Sequence, residues 1–222
     1  KEAVCVSLGT EQKVRVRLID CVGFLVKDAA GNMEDGKERM VRTPWSEKAI
    51  PFHEAARIGT QKVIEEHSTI GLVITSDGSF GELPRENFTE AEEKTIQELK
   101  KQHKPFLVLV NSQMPYKEAA QKAVSEIQEK YQVTALSVNC DQLHKEDIAQ
   151  ILEKILYEFP VSQIQFFIPK WVEMLPADHE LKKQLLEQIR EKTKHLFQIR
   201  DITKEAIQLS GPYVKDSLLE DT

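Results

Sequence analysis

An aspartate at a strand exit, with a glycine three positions on, is the pattern in this chain best suited to phosphate chemistry. The alternation in Val14-Arg15-Val16-Arg17-Leu18-Ile19 predicts a strand, and Asp20-Cys21-Val22-Gly23 follows it directly. A carboxylate placed there can hold Mg²⁺ through water, and the amide of Gly23 can approach a γ-phosphate because no Cβ obstructs it. The same spacing describes any strand that leaves through a turn, so the neighbouring elements must decide between the two readings.

Those elements alternate. Residues 4–8 and 14–19 predict a hairpin around Gly9-Thr10-Glu11-Gln12. Residues 27–37 are too polar for a core and read as a mobile stretch. Residues 39–45 predict an ordered loop in which Trp45 is a packing anchor. A helix over about 53–66 follows, weakened by Gly59. The apolar run 70–75 predicts a buried parallel strand that empties into the turn Ser76-Asp77-Gly78-Ser79. Thr89 and Glu92 have capping-box spacing and open a helix to about His103, with Ile96 and Leu99 facing inward. Residues 105–110 form another buried strand that ends at Asn111-Ser112. A helix over about 116–131, a strand over 133–138 ending at Asn139-Cys140 and an amphipathic helix through 148–159 complete the series. The expected fold is therefore α/β, a mainly parallel sheet with flanking helices. Its ligands belong beyond the carboxyl ends of the strands, where Asp20, Thr75, Asn111 and Asn139 all stand.

The character changes after Pro160. Residues 161–168 predict one more strand, Trp171 to Pro176 makes a break, and a long polar helix runs from about Asp178 past His195. Two domains are expected, 1–160 and 161–222, the second being the start of an α+β module or an interaction arm.

Composition narrows the functional classes. The 222 residues are 41% hydrophobic and 30% charged, enough to bury a core and too apolar overall for a disordered chain. A net charge of −6 disfavours broad contact with nucleic acid or anionic lipid. No apolar run approaches the ~20 residues of a membrane span. Cys5, Cys21 and Cys140 are odd in number and widely spaced, which fits reduced thiols and no metal pairing. The histidines contain no H-E-x-x-H, and His53, beside Glu54 at a helix start, reads as solvated or capping.

The order of these signals is that of P-loop GTPases: hairpin, Asp-x-x-Gly, two β-α units, then a base-recognition motif. Asn111-Ser112-Gln113-Met114 stands where Asn-Lys-x-Asp would stand, and Ser137-Val138-Asn139-Cys140 ends the next strand. Met114 replaces the acid that would accept two guanine hydrogen bonds, so adenine is the expected base. No G-x-x-x-x-G-K-[ST] occurs in the 222 residues, and without that amide nest nothing cradles the β- and γ-phosphates. The native chain is therefore expected to extend upstream of Lys1, and this segment alone is not expected to hydrolyse nucleotide.

Longer runs carry a more specific likeness. Residues 16–23, Arg39-Met40, Thr43-Pro44-Trp45, 50–56, 58–64, 67–71, Ala91-Glu92-Glu93, Lys104-Pro105-Phe106 and 157–161 closely resemble the stage IV sporulation protein A family. The likeness covers nearly the whole chain and weakens after about Pro176. The resemblance implies an ATPase of the GTPase-like P-loop class in endospore-forming bacteria. It implies a mother-cell cytoplasmic protein, peripheral at the outer forespore membrane, whose ATP hydrolysis is coupled to polymerisation into the basement layer of the spore coat. The implied partners are further copies of itself, a small amphipathic membrane-anchoring peptide and other spore coat proteins, with no nucleic acid. Carried over by residue, Asp20 is the catalytic acid acting on Mg²⁺ through water, and Gly23 senses the γ-phosphate. Asn111 and Ser112 match the altered base-recognition motif. ATP and Mg²⁺ are the implied cofactors. A non-hydrolysing scaffold that retains the nucleotide-type fold is the competing expectation, and a guanine-nucleotide switch is a third, disfavoured by Met114.

Overall fold

The computed structural model describes residues 2–8, 12–211 and 214–219, and the chain divides into two units, Lys1–Ile155 and Leu156–Thr222. In the first unit, β1 (Val4–Leu8) pairs antiparallel with β2 (Gln12–Val16), Val4 opposite Val16 and Val6 opposite Val14. The turn expected between them falls on residues 9–11, outside the described residues. The strand expected to run to Ile19 stops at Val16. Beyond it Leu18 and Ile19 are 81% and 42% exposed, so burial does not extend the ladder.

The polar stretch read as mobile contains a small hairpin, β3 (Met33–Glu34) with β4 (Lys37–Glu38). Asp35 and Gly36, at φ 49° and 73°, give the left-handed pair that a two-residue turn matching strand twist requires. The expected loop at 39–45 is a second hairpin, β5 (Met40–Thr43) with β6 (Ser46–Pro51), turning at Pro44 and Trp45. The Trp45 ring lies on α1 (Phe52–Lys62) over Gly59, where a Cβ would stand 3.6 Å from it. The glycine that weakens the helix is thus the one that admits the anchor. The helix continues as a π-helical turn, Val63–His67.

The rest of the first unit is a repeating strand–helix series: β7 (Gly71–Ser76), α2 (Thr89–Lys101), β8 (Phe106–Asn111), α3 (Glu118–Tyr131), β9 (Ala135–Val138) and α4 (Lys145–Tyr157). The three strands form a parallel sheet in the order β7-β8-β9. One face packs Val73, Val108 and Val110 with Ile96 and Leu99 of α2 and with Ala123, Val124 and Ile127 of α3. The other packs Leu107, Leu109 and Val138 with Ile151 and Ile155 of α4. Every apolar residue of β8 from Phe106 to Val110 is buried, as a strand covered on both faces must be. At the edge strand β7, by contrast, Leu72 and Ile74 are 39% and 60% exposed.

The capping box expected at Thr89 does not form. Its hydroxyl donates to the Glu86 carbonyl, and Glu92 turns inward to Arg85, because the partly buried guanidinium competes for the carboxylate that would have capped the helix.

In the second unit α5 (Lys170–Glu173) and α6 (Glu180–Thr193) are joined by turns, and α6 and α7 (Lys204–Ile207) by a connection that holds the 3-10 turn Ile199–Asp201. Residues 161–168, expected as a strand, form no strand and no ladder among the described residues. Pairing is limited to the bridge between Pro160 and Gln198, flanked by Val161 N–H to the Phe197 carbonyl at 2.9 Å and Ile199 N–H to that of Phe159 at 3.0 Å. Glu158, buried, meets Arg200 at 3.1 Å beside that bridge. No residue of α6 is fully buried.

Candidate functional site

Parallel strands in register end together, so Ser76, Asn111 and Val138 lie side by side and the polar residues after them meet at one edge. Asn111 ties the three exits. Its carbonyl accepts Asp77 N–H at 3.3 Å, and its Oδ1 accepts Cys140 N–H at 3.0 Å. Ser112 is 1% exposed and donates its N–H to the Val138 carbonyl at 2.9 Å. Its hydroxyl accepts Met114 N–H at 3.1 Å and hydrogen-bonds the Asp77 carboxylate. Asp77 also accepts the Ser79 amide at 2.9 Å and the Ser79 hydroxyl, whose oxygen in turn accepts Gln113 N–H at 2.8 Å. The loops after β7 and β8 are therefore fastened through an Asp77–Ser112–Ser79 cluster. Asn139 adds two contacts, accepting Asp141 N–H at 3.1 Å and donating to the Gln113 carbonyl at 3.4 Å.

The electrostatics follow from these bonds. Burial pushes the Asp77 carboxyl upward, but hydrogen bonds from Ser112 and Ser79 outweigh it and hold the group below its ordinary 3.8. Burial, with the charge of Asp141 second, pushes the Cys140 thiol up, so it stays protonated at neutral pH and is no nucleophile. Met114 stands half exposed at the edge and offers only a weakly accepting thioether.

Asp20 and Gly23 are placed differently. Asp20 lies four residues beyond the end of β2, is exposed, and makes no hydrogen bond or ion pair with the described residues. Gly23 has φ +79°, and no atom lies within 4 Å of where its Cβ would be, so its backbone is open to approach. Nothing among the described residues bonds either of them to Asn111 or Ser112.

The loop that follows Gly23 is instead tied to the turn Arg85–Asn87. Lys27 N–H donates to the Asn87 carbonyl at 3.3 Å, and Asn87 Nδ2 donates to the Lys27 carbonyl at 3.1 Å and to Asp28 Oδ2 at 3.2 Å. Arg85 Nη1 reaches back to Thr75 Oγ1 at 2.9 Å, to the Ser76 carbonyl at 3.3 Å and to Glu92 at 2.6 Å. The last is an ion contact off the axis of a hydrogen bond: Glu92 Oε2 and Arg85 Nε are buried without a directional partner.

Sequence reasoning read Ser76 to Ser79 as a turn and missed that Asp77 and Ser79 hold the edge together. The signal was there, an Asp-Gly turn directly after a buried strand. Arg85 and Asn87 carried no local signal, since Asn87 bonds residues about sixty positions away. Among the described residues no cluster of three or more histidines, cysteines or acids could hold a metal ion, and no helix is long and apolar enough to cross a membrane.

Comparison with known proteins bears on the whole length. Residues 1–160 match the family described as stage IV sporulation protein A, ATPase domain, and residues 161–222 match its middle domain. The chain is 39% identical over 209 residues to stage IV sporulation protein A of Bacillus anthracis, covering 94% of this chain and 42% of that protein. The Bacillus subtilis (strain 168) protein is 40% identical over the same shares, and that of Clostridioides difficile (strain 630) is 41% identical over 189 residues, 85% of this chain and 38% of that one. The chain thus spans about two fifths of the length of these relatives. No solved structure matches it. With both domain matches falling in succession along it, the chain belongs to the stage IV sporulation protein A family.

Proposed function

We propose that this chain is the larger part of the nucleotide-binding region of an ATP-hydrolysing protein that builds the spore coat, followed from residue 161 by the start of a middle domain. The observation that carries the reading is the match of residues 1–160 to a family described as an ATPase domain. The edge of the parallel sheet supports it: Asn111 has its Oδ1 engaged, while its Nδ2 donates to no described group and is left for a base. Ser112, buried beneath, acts by fixing the loop rather than by touching the ligand. Asp20 is unencumbered and would hold Mg²⁺ through water, and the open backbone of Gly23 would face the terminal phosphate. Bound Mg²⁺ would supply neutralisation of phosphate charge. The exposed Leu72 and Ile74 of β7 suit the P-loop form of this fold, in which a phosphate-loop strand and its helix cover that face.

In this reading the protein polymerises with further copies of itself into the basement layer of the coat. It lies on the mother-cell side of the outer forespore membrane, joined by a small amphipathic anchoring peptide and other coat proteins. The test is Asp20→Ala in the full-length native protein. ATP binding should persist while turnover falls on the order of 10²-fold, the usual scale for losing one element that stabilises developing charge. Unchanged turnover removes Asp20 from the mechanism. A wild-type protein that turns over no ATP leaves the non-hydrolysing scaffold, and preference for GTP in competition binding overturns the adenine assignment.

A further inference from the structure

We infer that Asn87 is a positioning residue for the loop after Gly23, and that Arg85 beside it anchors that loop to the carboxyl end of β7. The inference rests on the reading of Asp20 and Gly23 given above.

Asn87 holds Lys27 from both sides: its backbone carbonyl accepts Lys27 N–H, while its side-chain Nδ2 donates to the Lys27 carbonyl and to Asp28. Asp28 sits at φ 59°, a conformation that asparagine and aspartate tolerate, and Ala29 N–H closes the bend onto the Val26 carbonyl at 3.2 Å. The loop is therefore shaped by its own turn and located by Asn87. The turn that carries Asn87 is itself held. Asn87 N–H bonds the Pro84 carbonyl, Phe88 N–H bonds that of Arg85, and the Arg85 guanidinium lies under Thr75 and Ser76 against Glu92. The residue that follows Ser76 is Asp77, which is fastened to Ser112. A continuous set of contacts thus leads from Val26–Asp28 to the edge that carries Asn111.

Asn87 lies at the surface and touches neither Asp20 nor Gly23, so losing its amide should cost little stability. Its effect should appear in the rate, because displacing reacting groups by a fraction of an ångström is expensive while nucleotide affinity depends on contacts made elsewhere.

The experiment compares full-length wild-type protein with Asn87→Ala, Asn87→Asp and the exchange Asn87→Asp with Asp28→Asn. For each, kcat and KM for ATP are measured, together with hydrogen exchange at Lys27. Asn87→Ala should lower kcat about tenfold with KM changed less than twofold. Asn87→Asp should be worse, since two carboxylates then face each other. The exchange should recover most of the loss, because the amide introduced at position 28 can donate to the carboxylate introduced at position 87. Both single variants keep the backbone carbonyl that accepts Lys27 N–H, but without the Nδ2 bonds the loop should open more often, so Lys27 exchange should accelerate in both. Unchanged exchange in Asn87→Ala overturns the tether, and faster exchange with unchanged kcat overturns the positioning role. A parallel rise in KM, unrelieved by the exchange, also overturns it, in favour of a general structural role. If wild-type protein hydrolyses no ATP, the ATPase reading and the catalytic half of this inference fall together, while exchange at Lys27 still decides whether Asn87 holds the loop.

Discussion

Ser112 and Asp20 both belong to the candidate site, and the fold treats them in opposite ways. Ser112 is shut under the end of β8, a strand covered on both faces, and its amide and hydroxyl are bonded across two neighbouring loops. Asp20 follows a two-stranded ladder that has already ended, and no described group holds it. The difference comes from strand neighbours. β8 lies between two partners, so the position of Asn111 is fixed from both sides, whereas among the described residues β2 pairs with β1 alone and its ladder ends at Val16. The edge at Asn111 is thus built by packing, while no described contact fixes Asp20 and the loop that follows it is held only from Lys27 and Asp28. Arg85 and Asn87 are the described residues that join these two regimes.

The comparison breaks most visibly at Glu92. Glu92 is buried, with its side chain 2% exposed, and it is the carboxylate that meets the Arg85 guanidinium, itself 17% exposed. Glu92→Ala leaves that cation buried without a counter-charge, which typically costs about 3–5 kcal/mol. Denaturant unfolding of the full-length protein measures it. A loss below about 1 kcal/mol would mean that Arg85 finds water or another acceptor, and that the turn at Asn87 is not anchored as described.

Ser112→Ala should have a smaller effect, about 1–3 kcal/mol, because it deprives Met114 N–H and the Asp77 carboxylate of a buried partner. Its pH dependence has a definite sign. The folded pKa of Asp77 lies below 3.8, so the unfolded chain binds more protons at acid pH. The stabilisation is full above 3.8 and is lost as pH falls through the folded value. Removing Ser112 lets that value rise toward the ordinary one. The difference in stability between wild type and Ser112→Ala should therefore be greatest near neutrality and narrow below pH 3.8. A difference that stays constant with pH would remove the Asp77 bond from the account.

What could be read in the sequence was what local physics decides. The run Phe106 to Val110 is apolar without alternation, and it forms the strand buried on both faces. The helices between strands announced themselves by period and length, and the position of Asn111 at a carboxyl end followed from their alternation. Thr89 and Glu92 misled for the opposite reason. Their spacing is that of a local cap, but a charge seven positions before Glu92 claims the carboxylate, and spacing within one helix cannot show it. Residues 161–168, read as one more strand closed by Pro169, have no ladder among the described residues, since a strand needs a partner as well as a suitable composition. The tie between Asn87 and Lys27 was invisible because it depends on where two distant loops are carried by the sheet.

The sharpest form of the comparison is a substitution that should change almost nothing in the folded state. Asp20→Asn keeps the shape of the side chain and removes its charge from an exposed position without described partners, so stability should shift by less than about 0.5 kcal/mol. An acid that packing does not use and that the fold leaves open is free to be selected for what it binds. Asp20→Asn should accordingly unfold with wild-type protein in denaturant while losing ATP turnover, the reverse of Ser112→Ala, which should lose stability first. If Asp20→Asn proved markedly destabilising, Asp20 would be a structural residue, and the contrast between a built edge and an open acid would have to be abandoned.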